Sequence, residues 1–260
     1  MIQVELDATI AHIRLNRPEK RNAMDGQFVR DLTAAFTHAE SQPNTHLIVL
    51  SAEGPDFCAG ADLAWMQKMS ASDEACNLKD ARELAELIAL IYHARKPVIV
   101  LTQGMSLGGG LGLVAAADIV IAAEDASFCF SEVKIGLTPA VISPYVIAAI
   151  GARAARYYFL TAEKFDANEA LRLGLVHRIV PAHELKDAGL TLAKRLLTYS
   201  PHALKAAKAL THWVGEEKIS GQLTQATAEH LAKMRKSDDA QEGLHAFLEK
   251  RMPVWPTGEK

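Results

Sequence analysis

The chain has 260 residues, a formal net charge of −3, and 49% hydrophobic against 23% charged residues. That size and apolar content suit one large globular domain or a domain with an appendage, and the slight acidity excludes the basic surplus of a nucleic-acid binder. Cys58, Cys76 and Cys129 lack C-x-x-C spacing and no apolar run reaches about 18 residues, so a soluble cytoplasmic protein with reduced thiols and no membrane span is expected.

In chain order, the N-terminus begins directly as alternating strand, without the basic, apolar and cleavage regions of a signal peptide. Residues 3–15 read as two short strands around a turn at Asp7-Ala8, followed by the polar loop 16–22. Residues 23–40 carry Met24, Phe28, Leu32, Ala35, Phe36 and Ala39 at helical spacing. Residues 47–50 read as a buried strand, and 54–63 form a loop of little side-chain bulk. A long amphipathic helix over 73–93 follows, with Leu84, Leu87, Ile88 and Ile91 on one face. Residues 97–102 are a β-branched run, the pattern of a strand buried on both faces. After it come Gly104, the triplet Gly108-Gly109-Gly110 and a small-residue helix over 113–117. Strands are expected at 119–123 and 127–130, a loop at 131–139, a helix at 140–150 opened by Pro139, and a last strand at 176–180. From Leu185 onward the pattern is helical, ending in a tail with Pro253 and Pro256. Two regions follow from this shift: an α/β core over 1–195 and a helical region over 196–260.

The stretch 96–118 organises the rest. A buried strand, a glycine turn and a helix N-terminus bring unpaired backbone N–H groups and a positive dipole end close to a ligand, which suits an anion or a developing oxyanion. Gly104-Met105-Ser106-Leu107-Gly108 also matches the G-x-S-x-G elbow of serine hydrolases, with Asp166 and His177 available downstream. Against that reading, the glycines lie after the serine and no His-Gly-Gly-Gly motif precedes it. The dinucleotide fingerprint starting at Gly108 fails at Leu113. The bland alternative is a glycine-rich packing contact. A second small-residue loop at 58–61 also follows a buried strand, and two N–H donors from two loops converging on one carbonyl oxygen would form an oxyanion hole.

Phe57-Cys58-Ala59-Gly60-Ala61-Asp62-Leu63, Lys96-Pro97-Val98-Ile99, Gly104 with Leu107-Gly108-Gly109-Gly110, and Ala117-Asp118-Ile119 closely resemble the enoyl-CoA hydratase/isomerase (crotonase) family. So do Asn16-Arg17-Pro18 with Asn22-Ala23-Met24, the run 170–176, and the terminal Glu242-Gly243 with Ala246-Phe247 and Glu249-Lys250-Arg251. The resemblance spans nearly the whole chain. It implies an α/β crotonase superhelix of repeated strand-strand-helix units with a C-terminal helical region, assembled as trimers or dimers of trimers. It also implies an acyl-CoA thioester as substrate, with no further cofactor and no metal. The dispersed His12, His38, His46 and His93 give no ligand spacing.

Carried over residue by residue, the resemblance puts the oxyanion donors at the N–H groups of Ala61 and Gly109 and the acid/base at Glu132. Ala59, Ala61, Asp62, Leu63, Ala64 and Gly109 would line the coenzyme A path, with Phe247 and Lys250 reaching it from a neighbouring subunit. Phe128, Phe130, Val133 and Ile135 would give Glu132 an apolar pocket and a raised pKa. Trp65, Met66 and Met69 are expected to form a mobile wall of the acyl pocket. Hydratases of the family usually carry a second glutamate where this chain has Gly112. Residues 130–146 and 156–163 nevertheless look like the bacterial methylglutaconyl-CoA hydratase-like proteins of leucine breakdown. Hydration of a branched 2-enoyl-CoA therefore ranks first, 3-enoyl to 2-enoyl isomerisation second, and non-catalytic acyl-CoA binding third. Lys68 and Lys134 are the cations available for a substrate carboxylate.

Overall fold

The computed structural model describes residues 1–7, 9–215 and 217–255. β1 (Ile2–Asp7) and β2 (Ile10–Leu15) pair antiparallel, and Ala8 of the expected turn lies outside the described residues. α1 (Gly26–Ser41) opens on Asp25, whose carboxylate accepts the Phe28 N–H, a standard N-cap. β3 (Leu47–Ala52) leads through the 54–62 loop to α2 (Leu63–Ser70) and α3 (Glu74–Tyr92). β4 (Val98–Thr102), β5 (Met105–Leu107) and α4 (Gly109–Ala115) make up the central stretch, followed by β6 (Ile119–Ala123) and β7 (Ser127–Cys129). α5 (Ser143–Thr161), β8 (Phe165–Asp166), α6 (Ala167–Leu173), β9 (Arg178–Val180) and α7 (Leu185–Leu196) complete the core. α8 (Pro201–Gly215), α9 (Gly221–Met234) and α10 (Asp238–Leu248) end the described chain, and Pro256 of the expected tail lies outside it.

Six strands form one sheet in the order β1-β2-β3-β4-β6-β9, parallel from β2 onward. Its strands alternate between two cores, as the period of a strand requires. Ile48, Leu50, Val98, Val100, Val120 and Ala122 face α1, α3, α4 and α5, whereas Leu47, Val49, Ile99, Leu101, Ile121 and Ala123 face α7. This two-sided burial explains the continuous apolar runs. A second sheet, β5-β7-β8, lies beside the first, and Cys58 pairs with Ser106 to extend it. The chain thus repeats a unit: a long-sheet strand, a short pairing in the second sheet, then a helix.

Three expectations are corrected. The central helix starts at Gly109, not Leu113, and Met105–Leu107 is a strand inside what reads as a glycine turn. Glycine disfavours helix on its own, and packing overrides that propensity here. The helix expected at 140–150 opens at Ser143, with Pro144 in its first turn. It runs on to Thr161 across a break at Gly151 (φ 76°, ψ 153°).

α8, α9 and α10 contribute little to either core: Ala246 is their one buried residue among those described. α8 is fastened by Lys208, whose Nζ donates to Asp118 Oδ2 at 2.7 Å. Asp118 also accepts the Val98 N–H at 2.7 Å, tying β4 to β6. Burial pushes the Asp118 carboxyl above its ordinary range, Lys208 opposing. Lys208→Met removes the cation paired with this carboxylate, leaving the Val98 N–H bond, and is expected to cost roughly 3 kcal/mol, read from the urea midpoint.

Candidate active site

Three loops leave the second sheet from aligned positions. Cys58 is paired with Ser106, and Ser106 with Phe128, all parallel. Three residues beyond the first two stand Ala61 and Gly109, and four beyond the third stands Glu132. The carboxyl ends of parallel strands are where α/β proteins gather their sites. The register therefore brings together three residues separated by up to 71 positions in the chain.

The Ala61 loop is sewn to β5 and the start of α4 at several points. Cys58 N–H donates to Met105 O at 3.0 Å, and Leu107 N–H to Cys58 O at 2.9 Å. Gly60, at φ +86°, lies so close to Leu107 that a Cβ there would stand 3.1 Å from its carbonyl oxygen. A Cβ at Gly110 would fall 2.6 Å from the Cys58 Cβ. Met24 spans both loops. Its N–H donates to Gly60 O and its carbonyl accepts from Asp62 N–H, while its Cε lies 2.5 Å from where a Gly109 Cβ would be. In this parallel pairing Ala61 turns its own N–H away from Met24. Gly109, at the first helical position, has no intrahelical acceptor for its N–H.

Glu132 opens a short 3₁₀ turn over Glu132–Ile135. Its Oε1 stands 3.1 Å from a Cβ built at Gly108, which has φ +47° and is the N-cap of α4. Its Oε2 is buried and, among the described residues, has no hydrogen-bond partner. Burial raises the Glu132 carboxyl above its ordinary range, with its own backbone N–H opposing. The expected apolar pocket is corrected in its membership. Phe128 and Phe130 are fully buried in the main core, whereas Val133 and Ile135 are exposed. A 3₁₀ turn points successive side chains to different sides, so sequence neighbours do not wall Glu132 in.

The other expected residues separate by role. Asp62 caps α2, accepting from Ala64 and Trp65 N–H, and its other oxygen pairs with Lys20 at 2.9 Å and Arg17 at 3.5 Å. Those partners hold its carboxyl below the ordinary range, the Lys20 hydrogen bond being the largest cause. Ala59 is half-buried, while Ala61 on the loop and Leu63 and Ala64 at the start of α2 are exposed. Phe247 (80% exposed) lies on α10 and Lys250, also exposed, just after it, so both present their side chains to solvent in the single chain. Trp65 is not a free-standing wall: Gly26 leaves room for its ring, and its Nε1–H donates to Asp80 at 3.1 Å. Lys68 sits 4.9 Å over the Trp65 ring, and Lys134 is exposed.

The hydrolase reading fails on geometry. Ser106 is fully buried with its hydroxyl bonded to Thr102, Asp166 caps α6, and His177 Nδ1 accepts the Val120 N–H. Cys58 is equally inert, its thiol pushed up to about 12 by burial. No group of three or more metal-ligating side chains occurs among the described residues. None of their helices is long and apolar enough to cross a membrane.

Known proteins are similar to this chain over most of its length. A crystal structure of an enoyl-CoA hydratase from Shewanella pealeana superposes with a TM-score of 0.94 at 42% identity, covering 98% of this chain and 95% of that one. A hydroxycinnamoyl-CoA hydratase-lyase of Pseudomonas fluorescens is 33% identical over 210 residues, 80% of this chain and 76% of its own. A mevalonyl-coenzyme A hydratase of Aspergillus fumigatus is 31% identical over 245 residues, 94% and 90% respectively. The sequence profile described as enoyl-CoA hydratase/isomerase matches residues 5–258. With the two loops and the helix terminus arranged as above, these matches establish a crotonase-type α/β fold, and the chain belongs to the enoyl-CoA hydratase/isomerase family.

Proposed function

We propose that the chain is a 2-enoyl-CoA hydratase that works with a single carboxylate. The thioester oxygen accepts from Ala61 and Gly109 N–H, which stabilise the enolate formed as the double bond is attacked. Glu132 holds a water, takes its proton as the oxygen adds to C3, and returns a proton to C2, so that one O–H bond and the C2=C3 π bond break while a C–O and a C–H bond form. The observation that carries this reading is the Glu132 carboxyl, whose Oε2 is buried with no partner among the described residues and whose Oε1 lies against the N-cap of α4. Relatives named as hydratases support it, and the mevalonyl-CoA enzyme among them favours a short branched acyl group. 3-Methylglutaconyl-CoA, from leucine breakdown, is the proposed substrate.

One observation favours isomerisation as the second reading. The volume beside Gly112, where hydratases of the family carry their second glutamate, is taken by Ile142. Moving one proton between two carbons needs no such group. The wider proposal keeps Ala59, Asp62, Leu63 and Ala64 along the coenzyme A path, Asp62 through its backbone. It adds Phe247 and Lys250 from a neighbouring subunit of a trimer or dimer of trimers, a core over 1–195, a helical region over 196–260, and a cytoplasmic location.

The test follows conjugated-thioester absorbance with crotonyl-CoA, 3-methylglutaconyl-CoA and a 3-enoyl-CoA. Loss of absorbance on the first two, fastest on the branched one, is the expected result. A gain on the 3-enoyl substrate alone establishes the isomerase instead. Binding without turnover on all three leaves an acyl-CoA binder.

A further inference from the structure

Gly108, Gly109 and Gly112 leave the first turn of α4 without side chains on the side where other elements close over it. Met24 Cε and, behind it, Leu84 lie over Gly109. Over Gly112 lies Ile142: a Cβ built at 112 falls 2.3 Å from its Cγ2 and 3.1 Å from its Cβ, with Ile88 Cδ1 at 3.3 Å. Gly112 lies inside the helix without positive φ, so glycine there supplies space and not a turn. Ile142 is 2% exposed, stands at the N-cap of α5, and packs one helical turn from the Gly108 that touches Glu132.

We propose that Ile142 is a specificity-determining residue, the end wall that limits the length of the acyl chain. This rests on the acyl-CoA reading of the site. A chain whose carbonyl oxygen sits on Gly109 N–H and whose reacting carbons face Glu132 follows this side of α4 by displacing the flexible Met24 methyl, and then meets Ile142 with Ile88 behind it. Isoleucine is stiff at χ1, and this one is buried at a helix start, so it does not swing aside as the thioether of Met24 can. Short branched acyl groups end before the wall, and long ones run into it.

Titration calorimetry of wild type, Ile142→Val and Ile142→Ala with coenzyme A, butyryl-CoA and octanoyl-CoA reads the wall without turnover. Affinity for octanoyl-CoA relative to butyryl-CoA is expected to rise about tenfold in Ile142→Ala and less in Ile142→Val, with coenzyme A binding unchanged. An unaltered length preference in the folded variants, with coenzyme A and butyryl-CoA still bound, overturns the proposal while leaving the acyl-CoA reading standing. Failure of the wild type to bind coenzyme A or either thioester removes the acyl-CoA reading itself, and this proposal with it. A second arm tests the contact: Gly112→Ala is expected to lower the melting temperature, and adding Ile142→Ala to restore it. No recovery in the double variant takes away the packing on which the wall depends.

Discussion

Glu132→Gln is expected to lower kcat/KM by about 10³-fold, the range lost with a positioned general acid/base, while binding of saturated acyl-CoA persists. The glutamine keeps the shape of the side chain against Gly108 and removes only its ability to take and give a proton. Burial raises the carboxyl in the folded protein, so the base form appears only as pH climbs through a value above the ordinary carboxylate range. The wild-type rate should therefore rise through that displaced limb, and the variant's residual rate should lack it. Stability moves the other way. A raised folded pKa means that ionising Glu132 costs the folded state: there is no penalty below the unfolded pKa, and the full penalty above the folded one. At pH 8 the variant should be more stable than the wild type, and in acid the two should converge. An unchanged rate, or a variant less stable at pH 8, contradicts a buried acid/base at this position.

The second large effect comes from Gly109→Pro. Proline suits the first position of a helix, where the N–H has no intrahelical acceptor, so α4 can form while its proposed oxyanion donor is gone. The ring meets the Met24 methyl, a flexible end able to yield. Loss of one such donor typically lowers kcat by 10²- to 10³-fold, with little change in ground-state affinity. Gly109→Ala is the control, adding the same first carbon against Met24 while keeping the N–H. Carbonyl stretching frequencies of a bound acyl-CoA separate the two: the downshift caused by hydrogen bonding should shrink in the proline variant and survive in the alanine variant. Equal losses in both would mean that space at Gly109, and not its N–H, matters.

The strands and long helices were legible because their periodicity is local. The runs 97–102 and 119–123 have alternate residues committed to two separate cores, which is why both read as continuously apolar. The helix over 73–93 is read from Leu84, Leu87, Ile88 and Ile91 on one face, and the structure adds Asp73 as its N-cap. Ala61, Gly109 and Glu132 were likewise nominated as candidates through the motifs around them. Where local reading failed, packing had overruled it. Gly109 and Gly110 are helical because Met24 and Cys58 fill the space that their missing side chains leave. Val133 and Ile135, adjacent to Glu132 in the chain, turn outward on a 3₁₀ turn and leave its burial to the α4 side. Ile142 carried no signal at all: nothing in a Val-Ile-Ser-Pro sequence says that its methyl lies over a glycine thirty residues earlier.

Composition, periodicity and motif order by themselves determine the family, the strand-helix alternation and the residue types at the site, because each depends on neighbours within a few positions. Only the tertiary structure decides that Cys58, Ser106 and Phe128 stand in register, so that the loops carrying Ala61, Gly109 and Glu132 leave the second sheet at the same end. It alone decides that Asp62 is spent on a cap and two cations, and that Ile142 occupies the space beside Gly112. Register and packing are set by contacts between segments dozens of residues apart, and a one-dimensional pattern does not encode which of its faces will touch.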